Sequence, residues 1–165
     1  MTRERTGSEK QVLSDFFNQQ HDVILWKVDG LTDDQLREPM TASGVCLLAI
    51  VKHVAAADCY WLCEIFGRPT GPWRLETSDD VELDPGDTTD GVLAFFARAR
   101  DAGDQAISEL DLDATAITWL GDTVSFRWAI LHVIEHIAQH AGQTDLIRER
   151  IDNTTGYLPP KNLPY

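Results

Sequence analysis

Apolar residues recur at helical spacing over four long stretches of the chain. The clearest runs from Ser125 to Asp152, with no proline and one glycine, and carries Phe126, Ile130, Val133, Ile137, Ala141 and Ile151 on one stripe. The first stretch, Ser8 to Asp29, has Leu13, Phe16, Phe17, Ile24 and Val28 on its stripe, with Gln20 falling among them, and stops at Gly30. The second, Ser43 to Phe66, is apolar almost all round, which predicts a helix buried on most sides. The third, Gly91 to Leu110, is capped near Thr89 or Asp90 and presents Val92, Phe95, Ala99, Ala106 and Leu110. Gly103 in its middle either permits a close approach or marks a weak spot.

The segments between the stripes fix how the helices connect. Thr32 and Gln35 form a capping box that opens a short helical turn ending before Pro39. Residues 67 to 90 are rich in Gly, Pro, Asp and Thr, a length uncommon between antiparallel neighbours and suited to a crossover between parallel helices. Residues 111 to 124 read as a loop leading to an N-cap at Thr123 or Ser125. The tail from Asn153, with Pro159, Pro160 and Pro164, reads as irregular chain packed on the outside. The expectation is an all-α fold, a four-helix bundle with a long crossover between the second and third long helices, built from residues 1 to 165 as a single domain.

Composition narrows the partners. The net charge of −13 opposes binding to nucleic acid or to anionic membrane surfaces. No stretch is long and uncharged enough to span a bilayer, and the polar N-terminus lacks the apolar core of a secretory signal. Cys46, Cys59 and Cys63 all fall in the second helix, an odd number at poor spacing for bridges, so they read as reduced thiols in the cytoplasm.

The chemistry lies in the histidines. His132, His136 and His140 are spaced by four, so each sits about 40° further round the last helix than the one before. The apolar stripe lies nearest His140, then His136, which turns those two inward and leaves His132 at the rim, free for solvent or a carboxylate. Two imidazoles at i, i+4 can converge on one ion. A third ligand must come from another helix, and His53 is the histidine in the middle of the buried second helix, among the small residues Ala49, Ala56 and Ala57. Three neutral imidazoles suit Zn, Ni, Fe or Cu better than Ca or Mg, and three protein ligands leave a coordination position open. His21 is a candidate fourth ligand, and Cys59 and Cys63, also at i, i+4, are weaker candidates. The bland alternative is a histidine ladder on a solvated face, paired with Glu135 and Gln139. Tyr60, Trp61 and Gln20 are candidate walls of a substrate pocket. With an ordinary histidine pKa, metal binding should weaken as pH falls through about 6.

His136 and His140, followed by Gly142 and Gln143, resemble the HxxxH-x-GQ motif of the DinB/YfiT-like superfamily, and the segment from Leu48 through His53 resembles that superfamily's second-helix histidine. The Asp29–Thr32 turn and the Trp128 to His132 segment are similar to an actinobacterial branch. The resemblance covers nearly the whole chain. It implies up-down-down-up helix order and a divalent metal, often zinc or nickel, held by His53, His136 and His140. Relatives include S-transferases that use bacillithiol or mycothiol, and a mycothiol-dependent maleylpyruvate isomerase. The chain departs from the pattern at Ala141, where many members have Arg, and at His136, where several actinobacterial relatives have Glu. The isomerase's additional C-terminal domain has no counterpart, which points away from that reaction. The expected function is activation of a low-molecular-weight thiol for attack on a small-molecule electrophile. The alternatives are a non-catalytic metal- or ligand-holding bundle, as a homodimer, and a metal-free bundle.

Overall fold

A computed structural model describes residues 6–70 and 81–156. The chain is mostly helical. Helix α1 spans Glu9–Val28 and begins with a capping box, in which Ser8 Oγ accepts from the Gln11 N–H and Gln11 Oε1 accepts from the Ser8 N–H at 2.8 Å. Its buried face carries Leu13, Phe17, Gln20, His21, Ile24 and Val28. Phe16, expected on this face, is 48% exposed. It sits about 100° round the helix from Phe17, and the face turns toward His21 instead. The short helix α2 spans Asp33–Arg37 behind its own capping box at Thr32 and Gln35.

Helix α3 spans Leu47–Asp58, starting four residues later than the periodicity predicts. The preceding residues form a turn instead: the Val45 N–H donates to Thr41 Oγ1, the Met40 N–H donates to the Val45 carbonyl, and Gly44 takes φ +86°. A threonine side chain that satisfies the backbone, beside a glycine in the left-handed region, competes with the helix there. At its other end α3 widens into a π-helical turn, Cys59–Cys63, in which the Glu64 N–H reaches back to the Cys59 carbonyl. A tighter 3-10 turn, Glu64–Phe66, then closes on Gly67. The second apolar stretch is therefore one buried element with an irregular end. Residues 71–80 of the long connection lie outside the described residues, as do Pro159, Pro160 and Pro164 of the tail.

Helix α4 spans Thr89–Glu109, capped by Thr88. Gly103 permits close approach: a Cβ there would come within 2.7 Å of Phe17 Cζ and 3.1 Å of Leu62 Cδ1. The segment expected to be a loop forms an antiparallel hairpin, strands β1 Thr115–Ile117 and β2 Thr123–Ser125, with Ala116 opposite Val124. Threonine, isoleucine and valine at alternating exposed and buried positions favour a pleated ribbon. Gly121, at φ +88°, turns its tip. Helix α5, Phe126–Asp152, follows at once, capped by Ser125 Oγ accepting from the Trp128 N–H.

Helix α1 packs on α4 and α5, and α3 packs on the same two. Phe17, Ile24, Leu48, Ile50, Phe95, Phe96, Phe126 and Ile130 fill the core between them. An ion pair from buried Lys27 to Asp145 (2.5 Å) clamps α1 to α5. Arg148 adds hydrogen bonds to the Lys27 and Asp29 carbonyls at 3.0 and 2.7 Å. Among the described residues no helix is long and apolar enough to cross a membrane.

Candidate metal centre

Contact between α3 and α5 brings residues far apart in sequence face to face. His53 sits mid-α3, with the buried small residues Ala49, Ala56 and Ala57 one turn away along the helix. His136 and His140 sit one turn apart on α5 and face it. The Nε2 atoms converge: His136 Nε2 lies 3.0 Å from His53 Nε2 and 3.1 Å from His140 Nε2. The three rings lie 4.5 to 4.9 Å apart by centroid. Among the described residues this is the one cluster of three or more such side chains able to hold a metal ion.

The donor set fits such an ion. Around a tetrahedral centre with metal–nitrogen bonds near 2.0–2.1 Å, neighbouring ligand nitrogens are about 3.3 Å apart, close to the separations here. The tautomer fits as well. His140 Nδ1–H donates to Gln143 Oε1 at 2.8 Å, which leaves the lone pair on Nε2, facing the centre. His136 Nδ1 is buried with no hydrogen-bond partner among the described residues, the kind of defect that accompanies functional sites. Protonation would not compete at neutral pH. Burial, then the neighbouring imidazoles of His140, His53 and His132, push His136 down to about 3. Burial and His53 push His140 down to about 4 against the opposing hydrogen bond to Gln143. Neutral imidazole is the form that ligates. The weakening expected near pH 6 therefore belongs at lower pH, because an interior site disfavours the imidazolium far more than water does.

The other candidates separate cleanly. His21 is fully buried but belongs elsewhere: Nδ1 donates to the Phe17 carbonyl at 2.8 Å and Nε2 meets Asp58 Oδ2 at 2.7 Å, so both nitrogens are used. Burial raises the Asp58 carboxyl despite His21 beside it. Cys59 and Cys63 are buried and unbridged, and burial pushes their thiols up to about 12 and about 11, away from thiolate chemistry. Glu135 and Gln139 are exposed while His136 and His140 turn inward, so the solvated-ladder reading does not hold.

His132 stands at the rim, as its angle predicts, but it meets rings rather than a carboxylate. It stacks on Trp128 (4.9 Å, 10°) and meets Trp61 edge-on at 4.5 Å. Tyr60 and Trp61, carried by the π-helical turn, pack on each other at 5.0 Å. Gln20 is buried on α1. Gln143, one turn after His140, and Trp119 and Trp128 are not singled out for a role by their sequence pattern. The four-residue spacing of Trp128, His132, His136 and His140 was the available signal for Trp128.

A family model described as mycothiol-S-transferase matches residues 12–153 of the chain, in line with the motif around His136, His140 and Gln143. No curated protein sequence matches it.

Proposed function

The chain belongs to the mycothiol S-transferase family, and on that premise we propose that it is a divalent-metal-dependent enzyme joining a low-molecular-weight thiol, such as mycothiol, to a small electrophile. The observation that carries this reading is the convergence of the His53, His136 and His140 Nε2 atoms within 3.0 and 3.1 Å contacts. Zinc or nickel suits three imidazoles. A bound ion would supply an open coordination position and lower the pKa of a thiol brought there, so that the sulfur reacts as thiolate near pH 7.

The chain's own residues do the rest. Burial keeps His136 and His140 neutral, and Gln143 holds His140 in the ligating tautomer. In this reading Tyr60, Trp61 and Gln20 contact the substrate: Trp61 meets His132 edge-on, Tyr60 packs on Trp61, and Gln20 is a buried amide on α1. As the carbon–sulfur bond forms, the electrophile's leaving group departs with its electron pair and the thiol proton passes to solvent. The ring of contacts α1–α5–α3–α4 supports a four-helix bundle, and the long connection before α4 supports up-down-down-up order. Three unbridged cysteines support a cytoplasmic location.

The test is metal analysis of purified protein followed by thiol consumption with mycothiol and a small electrophile, before and after chelation. About one equivalent of metal and a chelator-sensitive rate above buffer are expected. Metal without turnover would replace this reading with a metal-holding bundle. Protein that takes up no metal would refute both.

A further inference from the structure

Trp128, His132, His136 and His140 recur every fourth residue on α5, so their rings form one column along the helix. The inner end of the column is the imidazole cluster, and the outer end is aromatic. His132 lies 6.4 Å from His136 and stacks on Trp128. Trp61, from the π-helical turn, touches both His132 and Trp128, at 4.5 and 5.6 Å. Tyr60 adjoins Trp61 at 5.0 Å, and Trp119, on the hairpin, lies 6.1 Å beyond Tyr60. The Trp119 N–H donates to Tyr60 Oη at 2.8 Å, which ties the hairpin to the π-helical turn. A continuous row of rings thus runs from the cluster to the hairpin tip.

Packing alone does not account for this row. Trp128 is 46% exposed and Trp119 53%. Contiguous apolar surface left in water beside a reactive cluster is a feature of ligand-binding surfaces. His132 stacks on one face of Trp128, yet nearly half of the tryptophan still faces solvent. π-helical turns also concentrate at functional sites, and here one carries both Tyr60 and Trp61.

We infer that this row is the platform for the electrophile, and that the electrophile it takes bears a planar aromatic ring. The inference rests on the S-transferase reading of the cluster. Two other ligand classes fit less well. A quaternary ammonium needs a gap between ring faces, and these rings touch one another. A sugar would stack on indole, but its hydroxyls need acceptors as well as the donors that the indole N–H groups offer, and as acceptors the row supplies Tyr60 Oη, already accepting from the Trp119 N–H, and one stacked imidazole.

The test uses metal-loaded full-length protein and 1,3-dinitrobenzene, a planar ring with no leaving group, with the indole N–H signals followed by NMR. Saturable shifts at Trp128 and Trp119 are expected. Trp128→Leu and Trp119→Leu should each weaken binding about tenfold, the upper end of one aromatic stack. Trp128→Phe should keep most of the affinity, and metal content should not change. In turnover with mycothiol, 1-chloro-2,4-dinitrobenzene loses chloride as the carbon–sulfur bond forms, and the thiol proton is released to buffer. The ratio of its KM to that of iodoacetamide, which has no ring, should rise about tenfold in Trp128→Leu. Unchanged dinitrobenzene binding in both leucine variants would overturn the platform, as would tighter binding of tetramethylammonium or glucosamine at the same signals. If no electrophile turns over, the S-transferase reading fails, while the binding series still decides the platform.

Discussion

Lowering the pH of metal-free protein from 7 to 5 should cost it a large share of its stability. In the unfolded chain a histidine titrates near pH 6.5. In the folded chain His136 and His140 titrate at about 3 and about 4. Both folded values are depressed, so below pH 6.5 the unfolded state takes up two protons that the folded state refuses. Stability is thus fully present above pH 6.5 and falls with pH until the folded values are reached. Each histidine contributes a slope approaching 1.4 kcal/mol per pH unit, and between pH 7 and 5 the pair sums to about 4 kcal/mol. Against a typical total of about 5–15 kcal/mol this is severe, on the order of a 10 °C fall in Tm for a chain this long. Asp58, whose carboxyl burial raises, and His132, which burial lowers, are both retained in a variant lacking only His136 and His140, so the difference between the two proteins isolates that pair. The carboxyls of Asp33, Glu109 and Asp152, held low first by hydrogen bonds from Thr89, Gln105 and Arg148, lose their contribution only as pH falls below about 4. The assay is urea unfolding of chelated protein at pH 7 and 5 by circular dichroism, beside the double variant His136→Gln, His140→Gln. Chelated wild type should be helical at pH 7, because the core is complete without an ion, and should lose several times more stability than the double variant on acidification. Equal losses in both proteins would refute the buried, neutral imidazoles, and a chelated protein unfolded at pH 7 would show that the metal holds the fold.

Three further outcomes follow from named contacts. His140→Ala should abolish stoichiometric metal binding, whereas His132→Ala, which removes the Trp61 and Trp128 contacts and a ring 6.4 Å from that of His136 but no Nε2 of the cluster, should retain it; equal loss by metal analysis would place His132 among the ligands. Gln143→Leu should weaken metal affinity about 10–100-fold with unchanged helicity, measured by competition with a chelating dye, since it removes the acceptor that sets the His140 tautomer. Gly103→Ala should destabilise by about 1–2 kcal/mol in urea, because overpacking against Phe17 and Leu62 outweighs a helix-propensity gain near 1 kcal/mol; a net gain would mean that the Phe17 ring gives way freely.

The helices and the facing of α5 are legible in the amino-acid chain alone. Apolar spacing near 3.6 and capping residues such as Ser8, Thr32 and Ser125 act within a few positions, so they are readable without neighbours. The same local geometry turned His136 and His140 inward and put His132 at the rim. What those faces meet depends on how the helices pack. Periodicity favoured His53 as partner, but only the packing of α3 on α5 brings its Nε2 to 3.0 Å from that of His136. Phe16 was misplaced because two adjacent phenylalanines cannot share a face and spacing does not say which one the core selects. The π-helical turn and the hairpin escaped notice because each depends on long-range contact: a widened turn is favoured only where its side chains pack, and three-residue strands hold only against a partner. The histidine protonation states were equally out of reach. A pKa far below 6.5 measures desolvation, and desolvation exists only once the helices have closed around the rings.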